Sequence, residues 1–98
     1  MRLVYTPTFK SHLRQFSLDI QDKFAKQAGF LLLDLRHPSL HAKKFNEVEG
    51  IWQARVDRKI RFYFLIRKDT YILLDIKKHA KLGRNNHLLR DCINFCIE

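Results

Sequence analysis

The stretch Gly50–His79 reads Gly-Ile-Trp-Gln-Ala-Arg-Val (50–56), Asp-Arg-Lys (57–59), Ile-Arg-Phe-Tyr-Phe-Leu-Ile-Arg (60–67), Lys-Asp-Thr (68–70) and Tyr-Ile-Leu-Leu-Asp-Ile-Lys-Lys-His (71–79). Three runs rich in β-branched and aromatic residues are separated by short charged segments, the pattern of an antiparallel meander. Strands are expected over 51–56, 60–66 and 71–76. Side chains alternate faces along a strand. Strict alternation puts Trp52, Ala54 and Val56 on one face with Ile60, Phe62, Phe64 and Ile66, and with Ile72, Leu74 and Ile76. The other face receives Gln53 and Arg55, then Arg61, Tyr63 and Arg67, then Tyr71, Asp75 and Lys77. One face is a core; the other is polar and mostly basic.

Upstream, Arg2–Thr6 is a short strand candidate able to pair with the meander. Thr6-Pro7 starts a helix, because Pro suits the first helical position and Thr caps it. Phe9, Leu13 and Phe16 recur on one helical face. Ser17 offers a second cap, before a longer helix with Ile20, Phe24, Ala28, Leu31, Leu32 and Leu35 on one stripe. His37-Pro38 ends that helix, since the residue before Pro avoids helical angles. The two helices form an αα-hairpin, and the apolar face of the meander is the large surface able to cover it. Residues 39–50 show little periodicity and read as a loop. Beyond a polar connection, Leu88, Leu89, Cys92, Ile93, Phe95 and Cys96 suggest a last helix. The expected fold is α+β: an N-terminal strand and an αα-hairpin packed on an antiparallel β-meander, with a C-terminal helix, in a single domain over residues 1–98.

The 98 residues carry 19 Lys/Arg against 10 Asp/Glu, a net charge of +9. The excess is uneven: residues 36–81 hold twelve basic and five acidic side chains, whereas residues 82–98 balance. A basic surface concentrated on the meander suits a polyphosphate or an acidic protein. No window has the length and apolarity of a membrane span, and no signal-peptide pattern opens the chain. Cys92 and Cys96, four apart, read as small apolar residues of a reducing, cytoplasmic protein.

Gly-x-Ser-x-Gly, His-Glu-x-x-His, Cys-x-x-Cys and phosphate-binding glycine loops are missing, and the five histidines lack metal-ligand spacing. Neither metal nor cofactor is therefore expected. The ordered set Pro-Ser-Leu-His-Ala-Lys-Lys-Phe (38–45), Gly-Ile-Trp-Gln-Ala-Arg-Val, Arg-Phe-Tyr-Phe (61–64) and Leu-Leu-Asp-Ile-Lys-Lys-His (73–79) resembles the RelE/ParE toxin superfamily of type II toxin–antitoxin systems. The resemblance implies a toxin silenced by a cognate acidic antitoxin. Many such toxins cleave mRNA on the ribosome without a metal; the ParE branch inhibits DNA gyrase without doing chemistry, and an inactive member acting only with its antitoxin is a third possibility.

In the RelE-like ribonucleases the arginine opening the Arg-aromatic strand contacts the scissile phosphate, and Arg61 matches that position. His79, in His-Ala-Lys-Leu (79–82), matches the catalytic histidine of YafQ-like toxins, and imidazole can give or take a proton near neutral pH. Lys43, Lys44, Arg55, Lys77, Lys78 and Lys81 are candidate RNA-backbone contacts, which supply affinity and little sequence information. His41 and Tyr63 rank below these, and Trp52 reads as core. Two departures from the family stand out: Ile51 and Gln53 occupy strand positions where many RelE-type enzymes carry lysines, and no tyrosine follows Tyr71. The resemblance therefore implies a histidine-using relative, or a member with altered activity.

Overall fold

The computed structural model describes residues 1–78. The expected C-terminal helix, Cys92 and Cys96, and the candidates His79 and Lys81 lie outside the described residues. Element order is β1 (Arg2–Tyr5), α1 (Pro7–Arg14), α2 (Leu18–Leu33), a 3₁₀ turn (Pro38–Leu40), β2 (Lys43–Asn46), β3 (Ile51–Arg55), β4 (Ile60–Arg67) and β5 (Thr70–Lys78). The five strands form one sheet in the order β1-β5-β4-β3-β2. The expected meander is β3-β4-β5, antiparallel throughout, and β1 joins its far edge parallel to β5.

Both helix starts form as their residues dictate. The Thr6 hydroxyl accepts the Phe9 N–H at 3.2 Å with Pro7 in the first turn, and Ser17 Oγ accepts the Ile20 N–H at 3.3 Å. The Thr6 hydroxyl also donates to the Leu73 carbonyl at 2.8 Å, so one side chain caps α1 and ties it to β5. The second helix stops at Leu33, earlier than Pro38 alone requires. Asp34 ends it in extended backbone, and its carboxylate accepts the Arg36 N–H.

The helices lie on one face of the sheet. Phe24 meets Phe9 at 5.1 Å between ring centroids and Phe62 edge-on at 5.3 Å, and Leu31, Phe64 and Ile76 are buried around them. Trp52 packs against this core, as expected.

Two expectations are corrected. Residues 39–50 are not all loop: Lys43–Asn46 form the edge strand β2, paired antiparallel with β3. The second correction concerns β5. Opposite Tyr63 and Phe64 stand Asp75 and Leu73, so one extra residue, Leu74, is inserted as a β-bulge. A one-residue insertion reverses the facing of everything on one side of it. Tyr71 and Leu73 therefore lie in the helix-side core, while Ile72 pairs with Leu65, and Leu74 packs with Ile51 and Tyr63 on the opposite face. That face is not uniformly basic. Phe45, Ile51, Tyr63, Leu65 and Leu74 make an apolar centre, and the cations gather at one end.

Candidate active site

Arg61 sits where β4 leaves its turn, opposite Arg55 on β3 and opposite Lys77 on β5. The three cations form one row across the sheet. Like charges directly opposite each other on a sheet are destabilising, so this row holds a concentrated positive potential at an energetic cost. The turn before Arg61 absorbs part of that cost. Asp57 Oδ1 accepts the N–H groups of Lys59 and Ile60, both at 2.9 Å, and this Asx turn aims its carbonyls at the guanidinium. Arg61 Nη1 donates to the carbonyls of Asp57 at 2.9 Å and Arg58 at 3.1 Å, and to its neighbour Ile60 at 3.4 Å. Only 8% of Arg61 is exposed. Burial, and next the charge of Arg55, lower its pKa from the ordinary arginine value, while Tyr63 and Asp57 act the other way. A guanidinium so placed is still a cation in neutral solution. It is fixed by backbone carbonyls rather than by a carboxylate: no described acid lies within ion-pair distance of it.

Arg61, Arg55 and Gln53 line a cleft of about 620 Å³, walled by the segment His41–Phe45. This is the size range of ligand sites. Two features hold the wall. Gln27, buried on α2, donates from Nε2 to the carbonyls of Ser39 at 3.0 Å and Arg55 at 2.8 Å, and its Oε1 accepts the Ser39 hydroxyl at 2.9 Å. His41 then turns the chain in left-handed backbone, φ 47° and ψ 43°.

The structure sorts the remaining candidates. Lys43 faces Gln53 on the cleft side. Lys44 borders the same cleft through its place in the wall, but its ammonium lies 5.3 Å from the centroid of Trp52, on the helix side. Lys78 pairs with Ile60, also at the helix side, and together with Lys77 it lines a smaller groove beside His12 and Gln15. Arg61, Arg55 and Lys43 are thus brought to the cleft; Lys77 shares their sheet face by its register with Arg61 but lines the smaller groove, and Lys44 and Lys78 point to the helix side.

Sequence reasoning missed Gln27 and the pairing of His12 with Asp75. Asp75 is fully buried, and its Oδ1 lies 2.6 Å from His12 Nδ1 and accepts the Ile76 N–H at 2.8 Å. Its Oδ2 lies 3.7 Å from Lys77 Nζ. The His12 ring and the Asp75 carboxyl are thus within hydrogen-bond distance, the ring's tautomer setting which of the two donates. β1 covers β5 only from Thr70 to Leu73. Beyond that point Asp75 satisfies the edge N–H that β1 no longer reaches, and α1 seals the edge through His12. No local pattern announces a contact between residues 63 apart. Among the described residues no group of three His, Cys, Asp or Glu is placed to hold a metal ion, and no helix is long and apolar enough to cross a membrane.

With the fold and cleft in view, solved structures provide the comparison. The YoeB/ParE toxin from Agrobacterium tumefaciens superposes with a TM-score of 0.68 at 12% identity, covering 82% of this chain and 100% of that one. The chain has the RelE/ParE toxin fold. The YoeB–YefM toxin–antitoxin complex from Staphylococcus aureus matches with a TM-score of 0.56 at 17% identity, over 80% of this chain and 95% of that one. The isolated RelE toxin of E. coli matches at 0.54 and 11%, over 92% and 96%. No family model matches the chain, and no curated protein matches it in sequence. The RelE/ParE likeness is thus one of architecture: among the described residues, five strands, two helices and the strand order that makes β4, which carries Arg61 near its start, the middle strand.

Proposed function

We propose that this chain is the toxin of a type II toxin–antitoxin system and that it cleaves mRNA on the ribosome. The observation that carries the reading is the row Arg55–Arg61–Lys77 beside the cleft, with the central guanidinium fixed by the turn carbonyls at 2.9 and 3.1 Å. RNA can be cut by its own 2′-hydroxyl. The O2′–P bond forms, the P–O5′ bond breaks, and a cyclic phosphate and a 5′-hydroxyl result. That step gathers negative charge on a crowded phosphate, and preorganised cations at such a point are the largest catalytic contribution. Arg61 cannot relax away from the charge, because its hydrogen bonds to the turn already fix it. His79 is the proposed proton donor to the leaving O5′. The protein's own cations carry the phosphate charge in this scheme, so it needs no metal. The ribosome presents the message splayed and aligned, which reduces the positioning the protein itself must do.

The partner that silences it is an acidic antitoxin. The S. aureus neighbour was solved with its antitoxin, and a net charge of +9 steers an acidic chain onto this one. Primer extension on mRNA from cells expressing the chain tests the activity. Cuts in phase with codons are expected, and Arg61→Ala lowers their rate by about 10²–10³, the scale of removing one oxyanion donor. Growth arrest with intact mRNA and gyrase-type DNA damage would refute the reading and leave the ParE-like one.

A further inference from the structure

The chemistry above needs a base for the 2′-hydroxyl, and the described residues contain three imidazoles. His12 is bound to Asp75. His37 is occupied as well: its Nδ1 accepts the Ser39 N–H at 3.1 Å, and its ring stacks on Phe30 at 4.0 Å between centroids. His41 is the one that lines the cleft with Arg55 and Arg61. It is exposed, and no hydrogen bond ties its ring to a described residue.

A second, independent observation is its backbone. His41 adopts left-handed angles, which cost a side-chain-bearing residue free energy relative to glycine and persist where the surroundings over-determine them. Gln27 supplies that determination from behind, by holding the Ser39 carbonyl on one side and the Arg55 carbonyl on the other. Glycine or asparagine would turn the chain here at less cost. Histidine carries the strain and delivers an imidazole to the cleft.

We propose that His41 is the general base of this cleft, taking the proton from the 2′-hydroxyl while Arg61 holds the phosphate. The inference rests on the endonuclease reading. His41 accepts the proton as the O2′–P bond forms, O5′ leaves with a proton from the acid His79, and both imidazoles return to their starting forms by exchange with water. The base and the phosphate cation thus come from the two walls of one cleft, the His41–Phe45 segment and the β3–β4 floor.

The test is single-turnover cleavage of mRNA on programmed ribosomes by the full chain and by His41→Asn, His41→Gln and Arg61→Ala, over a range of pH. Asparagine tolerates left-handed backbone, so His41→Asn is expected to melt at or above the temperature of the unaltered protein. Its cleavage rate is expected to fall about 10²–10⁴-fold, the range for general acid–base catalysis. The acidic limb of the rate profile is expected to vanish with it. His41→Gln is expected to show the same loss, which separates proton transfer from hydrogen bonding. Cleavage by His41→Asn within threefold of the unaltered rate, with Arg61→Ala inactive, would overturn the His41 assignment and leave the endonuclease reading standing. No cleavage by the unaltered protein would overturn both.

Discussion

Lys43 and Lys44 are neighbours in sequence and part company in space. Lys43 stands opposite Gln53 on the face that carries Arg55 and Arg61, whereas Lys44 stands opposite Trp52 and lays its ammonium 5.3 Å from that ring's centroid. Composition counts them alike, as two charges of a basic segment. The period-2 geometry of β2 makes one a candidate phosphate contact and the other a cover for an indole. Binding of single-stranded RNA should reveal the difference through its salt dependence, because each cation that neutralises a phosphate releases a counterion. Lys43→Gln is expected to reduce the slope of log affinity against log salt by about 0.7. Lys44→Gln is expected to leave that slope unchanged. Equal changes in fluorescence-anisotropy titrations of the two variants would show that β2 does not divide them in this way.

At the scale of the element, β5 carries the least expected feature. Alternation along Tyr71–Ile76 points Ile72 and Leu74 into the core and turns Leu73 away; the bulge at Leu74 reverses this, leaving Leu73 fully buried and Ile72 half-buried. Leu73→Ala is therefore expected to cost about 2–5 kcal/mol, and Ile72→Ala clearly less, in urea melts with unchanged slopes. The reverse ranking would mean that β5 runs in unbroken register.

The example shows where sequence reasoning ends. Thr6-Pro7 and Ser17 announce their helices because capping is local chemistry. The three meander strands announce themselves by composition and spacing. The bulge is invisible, since a run of Ile-Leu-Leu is apolar in either register. β2 is equally hard to read, because Lys-Lys-Phe-Asn is too short and too polar to alternate legibly, and it pairs only at the sheet's edge. The site divides the same way. The place of Arg61 on the polar face of β4 is legible from strand alternation, while Gln27 and the His12–Asp75 pair depend on residues brought together from distant parts of the chain.

For the whole molecule, burial sets an alkaline boundary. The phenols of Tyr5 and Tyr71 are pushed above the ordinary 10.0 by burial, Asp34 adding to the effect at Tyr71. The folded state keeps protons that the unfolded chain would release, so their contribution is fully present below pH 10 and is lost as pH rises through the folded values. Melting temperature is expected to decline in that window, with phenolate absorbance rising together with the loss of circular dichroism. Phenolate appearing well before unfolding would show that these rings are open to water. The sheet also has a consequence for synthesis. Its first strand, Arg2–Tyr5, pairs with Thr70–Leu73, and the Thr6 hydroxyl reaches the Leu73 carbonyl. Contacts this remote are costly in loop entropy and late to form. As the chain emerges from the ribosome, β1 must wait for β5, more than sixty residues later, before it has its partner. A copy interrupted before Thr70 has neither that partner nor Lys77, and so leaves translation with its cationic row unassembled.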